Sequence, residues 1–287
     1  MLGPLTRLST PASRALAAVG QFCAQGDVAS NLRTCVGLIS SAAARGARMV
    51  FLPESSDFIA DAATAPTLAQ PLDGAFMTGI CEAAKQHGVW VSVGVHEHQG
   101  AADTLPYNTN AVVSSTGVLV AAYRKLHLFD VHVQGASKLQ ESMTVARGDA
   151  APDTVHTPLG ALGLAVCYDV RFPEVAQHLR RRGAQLLCYP SAFTQTTGAA
   201  HWELLLRARA VESQAYVVAA AQIGRHCAGR VSFGDAMIVD PWGTVVARCP
   251  RTLDEPTVAL AEINLDYLDR VRREMPVFSH RRTDIFG

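Results

Sequence analysis

The sequence predicts an α/β fold, and three observations carry the prediction. Short apolar runs alternate with longer stretches whose apolar residues recur at helical spacing. The chain has 287 residues, 49% of them hydrophobic, which is ample for a large core. No apolar run approaches the ~20 residues that cross a bilayer, so these residues build an interior. The formal net charge is zero, and no basic block is interleaved with aromatics. Composition therefore argues against nucleic acid as a partner.

The elements can be justified in chain order. Residues 1–14 stand apart, with Arg7, Arg14, Thr6, Ser9, Thr10 and Ser13, and the first acidic residue is Asp27. That composition is either a mitochondrial transit segment or a short disordered leader broken by Pro4 and Pro11. Residues 15–19 read as a first strand. Leu32, Cys35, Val36 and Ile39 give residues 31–45 helical spacing. Residues 49–52 form a buried strand ending at Pro53-Glu54. Residues 76–87 read as a helix and 89–95 as a strand. Residues 110–113 and 118–123 flank the turn Ser115-Thr116-Gly117. Residues 162–166 form another buried strand, running into Cys167. Residues 173–182 read as a helix, with Gly183 suited to end it. A strand at 186–189, a long helix at 202–214 and a strand at 217–221 follow. Residues 233–239 and 244–247 bracket the turn Asp240-Pro241-Trp242-Gly243. Residues 257–263 are a late strand, and the tight late turns add antiparallel pairing. No low-complexity linker interrupts residues 15–287, which read as one domain.

The seven cysteines are Cys23, Cys35, Cys81, Cys167, Cys188, Cys227 and Cys249. An odd number at irregular spacing is no disulfide framework, and no pair has CxxC spacing. Free thiols in a reducing compartment are the simplest reading, most of them acting as small apolar core residues.

Three polar residues share one context. Glu54, Lys125 and Cys167 each follow the end of an apolar run. In open α/β sheets that edge is where ligands bind, so three strands could deliver a carboxylate, an ammonium and a thiol to one pocket. Taken singly, each has a bland reading: a solvated turn residue, a surface lysine, a core cysteine. Cys167 is the sharpest of them. It lies at a strand-to-helix transition, where the next backbone N–H and a helix N-terminus face developing negative charge and favour thiolate.

The segments Phe51-Leu52-Pro53-Glu54, Tyr123-Arg124-Lys125-Leu126-His127-Leu128-Phe129-Asp130 and Cys167-Tyr168-Asp169-Val170-Arg171-Phe172-Pro173-Glu174 resemble the three signature segments of the nitrilase superfamily of carbon–nitrogen hydrolases. Their order and separation match, and the likeness runs from about residue 16 to the C-terminus. Residues 189–198, 201–210, 219–226 and 239–248 resemble its deaminated glutathione amidase branch. The resemblance implies a four-layer αββα sandwich, dimerised through helices, in the cytoplasm or mitochondrion. It implies Glu54 as general base, Lys125 as catalytic lysine, Cys167 as nucleophile and Glu141 as a second active-site glutamate. Lys125 and the Tyr168 N–H would meet the oxyanion. No metal or cofactor is called for.

Arg171, four residues after Cys167, could clamp a substrate carboxylate, with Phe193 and Thr197 lining the same pocket. Its bland reading is a pair with Asp169 or Glu174. One of Arg225, His226 and Arg230, in an expected loop over 222–230, would meet the distal carboxylate of a dipeptide leaving group. His96-Glu97-His98 reads as a solvated strand end rather than a metal site. His201, Trp202 and Glu203 read as structural, and Arg207 and Arg209 as partners of Glu203 and Glu212. The expected reaction is hydrolysis of deaminated glutathione to 2-oxoglutarate and cysteinylglycine. The alternatives are an omega-amidase acting on α-ketoglutaramate, and an inactive scaffold of the same fold. A papain-like Cys–His hydrolase lacks its sequence signature.

Overall fold

The computed structural model describes residues 13–61, 64–98, 104–132, 139–252 and 255–286. The expected leader falls outside them except for its last two residues, and Arg14 already belongs to the first strand.

β1 (Arg14–Phe22) leads through α1 (Val28–Ala44) to β2 (Met49–Phe51). Asp27 caps α1, its side chain accepting from the Ser30 N–H. The short α2 (Ala65–Leu68) and then α3 (Ala75–His87) precede β3 (Trp90–Glu97). β4 (Tyr107–Val113) and β5 (Leu119–Arg124) form the expected antiparallel hairpin. β6 (Asp130–Val131) and β7 (Leu139–Gln140) make a small ribbon. A second sheet begins with β8 (Thr154–Thr157), β9 (Gly160–Leu164), β10 (Leu186–Cys188) and β11 (Tyr216–Ala219). Its helices are α4 (Pro173–Arg181), followed by Gly183 as expected, and α5 (Gln195–Ser213). β12 (Ala221–Cys227) and β13 (Arg230–Phe233) return to the first sheet. β14 (Met237–Val239) and β15 (Val245–Arg248) rejoin the second. β16 (Thr257–Asn264) pairs antiparallel with β1, and α6 (Leu265–Glu274) and α7 (Thr283–Phe286) follow.

The first sheet runs β13-β12-β1-β2-β3-β4-β5, and the second β15-β14-β11-β10-β9-β8. Period-two alternation sorts their side chains into layers. Ala17, Val19, Met49 and Phe51 join the core shared with the second sheet, whereas Ala18 and Val50 face α1 and α3. Leu164, Leu187 and Val218 join the same shared core, which also takes in Val175 and Leu179 of α4 and Trp202 and Leu206 of α5. The result is the four-layer αββα sandwich.

Three expectations need correction. The strand at 233–239 is two strands in two different sheets. Gly234 and Asp235 take positive φ of +81° and +69°, turning the chain from one sheet to the other. An apolar run buried at both ends gives no sign of such a turn. The expected loop at 222–230 is the β12–β13 hairpin, hidden because its strands carry Gln222, Gly224, Arg225 and His226. The long helix starts at Gln195, not at residue 202. Thr194 caps it, and Gly198 is needed where the helix lies on Phe233.

Candidate active site

The C-terminal ends of both sheets meet at one cavity of about 570 Å³. β2 and β3 are parallel, and two antiparallel steps through β4 bring β5 into the same direction. Glu54 therefore leaves β2 beside Lys125, which directly follows β5. Cys167 arrives from β9 in the opposing sheet.

Each of these side chains is held by its backbone. Glu54 sits in a tight turn whose next residue, Ser55, has φ +55°. Gly94 of β3 lies so close that a Cβ there would come 2.5 Å from the Glu54 Cα. Only glycine fits that approach. The Gln222 side chain donates to the Glu54 carbonyl at 2.9 Å. The Lys125 N–H donates to the Asn108 carbonyl at 2.8 Å, and the Gly148 N–H to the Lys125 carbonyl at 2.9 Å. Cys167 opens a 3₁₀ helix over Cys167–Arg171 with φ +41°, a strained value for a side chain to hold. Buried Asp169 fixes that turn. Its Oδ2 accepts from the Val166 N–H at 3.0 Å and from Tyr123 Oη at 2.9 Å. Its Oδ1 lies 2.7 Å from His127 Nδ1.

Glu141, just after β7, completes the set. Lys125 Nζ donates to Glu54 Oε1 at 2.9 Å and to Glu141 Oε1 and Oε2 at 3.0 and 2.8 Å. Asn108 Nδ2 makes the same bridge, at 2.7 Å to Glu54 Oε1 and 2.9 Å to Glu141 Oε1. The Phe129 N–H anchors Glu141 from behind at 2.7 Å. Two donors thus tie two carboxylates together, and all four side chains line the cavity with Cys167.

The charges follow from that packing. Burial alone would raise the Glu54 carboxyl, but the Lys125 charge and the bonds from Lys125, Cys167 and Asn108 outweigh it, leaving it below its usual range. Burial would lower Lys125, but Glu141 and Glu54 hold the ammonium well above its ordinary value. Burial and then Glu54 push the Cys167 thiol up, and Lys125 offsets only part of this. The expected thiolate is therefore corrected. The resting group is a thiol hydrogen-bonded to a carboxylate, and the one-turn helix start is too weak to ionise it.

Tyr168, Phe193 and Thr197 line the cavity, Thr197 from the first turn of α5 rather than from a loop. Among the described residues no backbone carbonyl accepts from the Tyr168 N–H. Arg171 is not part of the lining. Its guanidinium covers the rings of Phe193 and Tyr168, 5.3 and 5.7 Å from their centroids, with Nη1 3.3 Å from His201 Nδ1. Neither the substrate clamp nor the pair with Asp169 or Glu174 is what Arg171 forms. Helix type is the reason. Four residues on, a side chain is about 40° from the first in an α-helix, but about 120° away in a 3₁₀ turn.

Of the three residues offered for a distal carboxylate, only Arg230 lines the cavity, with Nη2 on the Ala192 carbonyl at 3.2 Å. His226 is buried between the Ala24 carbonyl and Ser232, and burial lowers it to about 4. His96 is no solvated strand end. It lines the cavity, while Glu97 turns away to Arg124 and Thr109. Among the described residues no group of three His, Cys, Asp or Glu could hold a metal ion. Trp202 Nε1 donates to the Asp235 carbonyl, Glu203 pairs with Arg207 and Arg248, and Arg209 pairs with Glu212. Asn108 escaped sequence reasoning altogether. Its signal was available: Asn108, Thr109 and Asn110 are consecutive polar residues in an otherwise apolar strand, and such groups need partners.

The carbon–nitrogen hydrolase family model matches residues 16–273. Deaminated glutathione amidase from Homo sapiens is 47% identical over 276 residues, covering 95% of this chain and 84% of that one. The protein of the same description from Dictyostelium discoideum is 38% identical over 271 residues, 92% of each chain. The crystal structure of the Caenorhabditis elegans NitFhit fusion protein matches with a TM-score of 0.89 at 46% identity, over 96% of this chain and 66% of that one. Saccharomyces cerevisiae Nit3, a member of branch 10 of the nitrilase superfamily, matches with a TM-score of 0.82 at 27% identity, over 94% and 97%.

Proposed function

Because the chain belongs to the carbon–nitrogen hydrolase family and is a hydrolase acting on amides, we propose that it cleaves the amide of deaminated glutathione, releasing cysteinylglycine and 2-oxoglutarate. The observation that carries the chemistry is the Cys167 thiol held against Glu54 beside Lys125 and Glu141.

Glu54, ionised at rest, takes the thiol proton as sulfur attacks the amide carbonyl. Charge develops on the carbonyl oxygen and is met by the Lys125 ammonium and the Tyr168 N–H. Glu54 returns its proton to the departing amine, and the C–N bond breaks to leave a thioester on Cys167. Water, deprotonated by Glu54, attacks that thioester. The carboxylic acid leaves and the thiol is restored. Glu141 keeps Lys125 charged and aimed.

Arg230 favours this substrate over α-ketoglutaramate. It places a cation at the cavity wall, where a leaving dipeptide could present its carboxylate. Phe193 and Thr197 line the substrate's path. Leu204, Val211 and Trp242 are exposed apolar residues on and beside α5, which supports a homodimer formed through that helix. Seven free cysteines suit the cytoplasm or another reducing compartment.

Turnover of deaminated glutathione, α-ketoglutaramate and a neutral amide, side by side, tests the substrate. The first should have the highest kcat/KM, and a faster α-ketoglutaramate reaction would replace this reading with the omega-amidase one. Cys167→Ala should lose all hydrolysis, by at least about 10⁴-fold. Mass spectrometry of the acid-quenched wild type should find a 2-oxoglutaryl group on Cys167. Hydrolysis surviving in Cys167→Ala would remove the thioester route.

A further inference from the structure

We propose that His96 is the residue that binds the α-keto carboxylate on the acyl half of the substrate, an inference that rests on the acid-amide reading above. The imidazole lines the same cavity as Glu54, Lys125 and Cys167. It is fixed from three directions. Its Nδ1 lies 3.0 Å from Asp57 Oδ1, and its backbone N–H donates to Asp57 Oδ2 at 2.8 Å. Its face stacks on Phe58 with ring centroids 4.2 Å apart. Asp57 is itself buried, and its Oδ1 also accepts from the Phe58 N–H at 3.0 Å. Neither the ring nor its carboxylate partner is free to reorient.

Only one side of the imidazole is used by these contacts. Nδ1 is taken by Asp57, and Nε2 has no partner among the described residues. The side chain is only 15% exposed. A ring nitrogen at such a place, beside a catalytic cavity and without a protein acceptor, calls for one from a ligand. Burial would strip the ring of its proton, but Asp57, with Glu54 and Glu141 behind it, holds the imidazole above its usual range. Nε2 then offers a charge-assisted hydrogen bond to a carboxylate.

The other cations of the cavity leave this role open. Lys125 is already matched by Glu54 and Glu141. Arg230 belongs to the β12–β13 hairpin, next to exposed Ala228 and Gly229. The two halves of the substrate differ in what they need. The acyl half stays covalently attached through both steps and must be enclosed, whereas the amine half must depart. The deep, rigid cation suits the first and the rim arginine the second.

The test compares α-ketoglutaramate with 4-oxopentanamide, which has a methyl group in place of the carboxylate. His96→Asn keeps an amide donor for Asp57 but removes Nε2. His96→Gln keeps a neutral donor near the Nε2 position. His96→Asn should lower kcat/KM for α-ketoglutaramate about tenfold to a hundredfold, mostly through KM, and for 4-oxopentanamide less than about threefold. His96→Gln should fall between His96→Asn and the wild type. Equal losses on both amides, or a preference for the acid that survives in His96→Asn, would overturn the assignment. A wild type with no preference for the acid would instead overturn the acid-amide reading, and the assignment with it. Should neither variant fold, 2-oxoglutarate can be titrated into the Cys167→Ala chain while the His96 imidazole ¹⁵N resonances are followed. Saturation without a shift would overturn the proposal equally.

Discussion

The floor and the rim of the cavity are built on different principles. On the floor, Glu54, Lys125, Glu141 and Asn108 hold one another through short hydrogen bonds, and each follows or belongs to a strand. On the rim, Arg230 comes from a hairpin, Arg171 from a one-turn helix, and Phe193 from the loop before α5. The floor is over-determined and the rim is not. Chemistry that must be positioned within fractions of an ångström is placed on sheet edges, and recognition is left to connections that can vary.

That contrast can be broken by measurement. The largest effect is expected on the floor, where Glu54→Gln should lower kcat by about 10²–10⁴-fold while leaving KM within a few-fold. Next comes Gly94→Ala, which touches no substrate. Its added Cβ must push Glu54 aside, so kcat should fall by about a hundredfold and Tm should drop in the same sample. If Gly94→Ala is fully active, the floor is more compliant than its contacts imply. Asn108→Leu removes one of the bonds that favour ionised Glu54, and activity should fall about tenfold.

The pH profile gives that variant a direction. Glu54 must be ionised to accept a proton, and its folded-state value lies below the ordinary 4.5. Wild-type kcat/KM should therefore persist as pH falls through 4.5, and its acid limb should lie lower still. Losing the Asn108 donor should move that limb upward. An unmoved limb would show that Lys125 alone sets it. The smallest effects belong to the rim. Arg230→Met should raise KM for deaminated glutathione about tenfold and leave α-ketoglutaramate nearly unchanged. Arg171→Met should change either by less than about threefold, because its guanidinium covers ring faces rather than the cavity.

The same division explains how much could be read from the sequence. Floor residues lie beside apolar runs, so the strands announce themselves and the polar residue at each end stands out. Glu54, Lys125, Cys167 and Glu141 were all legible in that way, and so was the alternation that gives the sandwich. The rim was not, because its geometry depends on backbone choices without a composition signal. Whether residues 167–171 wind as 3₁₀ or α decides where Arg171 points, and no residue type there dictates which. Whether residues 222–230 pair as a hairpin decides that His226 is buried and Arg230 is not. His96 was misread for another reason. Its partner Asp57 is 39 residues away in sequence, and no local pattern joins them.

The pairing of β1 with β16 has a consequence for how the protein is made. The first strand lies against β2 early, but Arg14 pairs with Asn264, near the end of the chain. Until residues 257–264 leave the ribosome, most of one long edge of β1 remains an open template for other strands. Gln222, which steadies the Glu54 turn, also arrives late. Glu54, Lys125, Glu141 and Cys167 are all synthesised by residue 167, yet a nascent or truncated chain that carries them lacks the strands that lock them in place. Such a fragment should be captured by chaperones or aggregate before it could cleave an amide. Catalytic competence is thus acquired near the end of synthesis, as the terminal strand closes the first sheet.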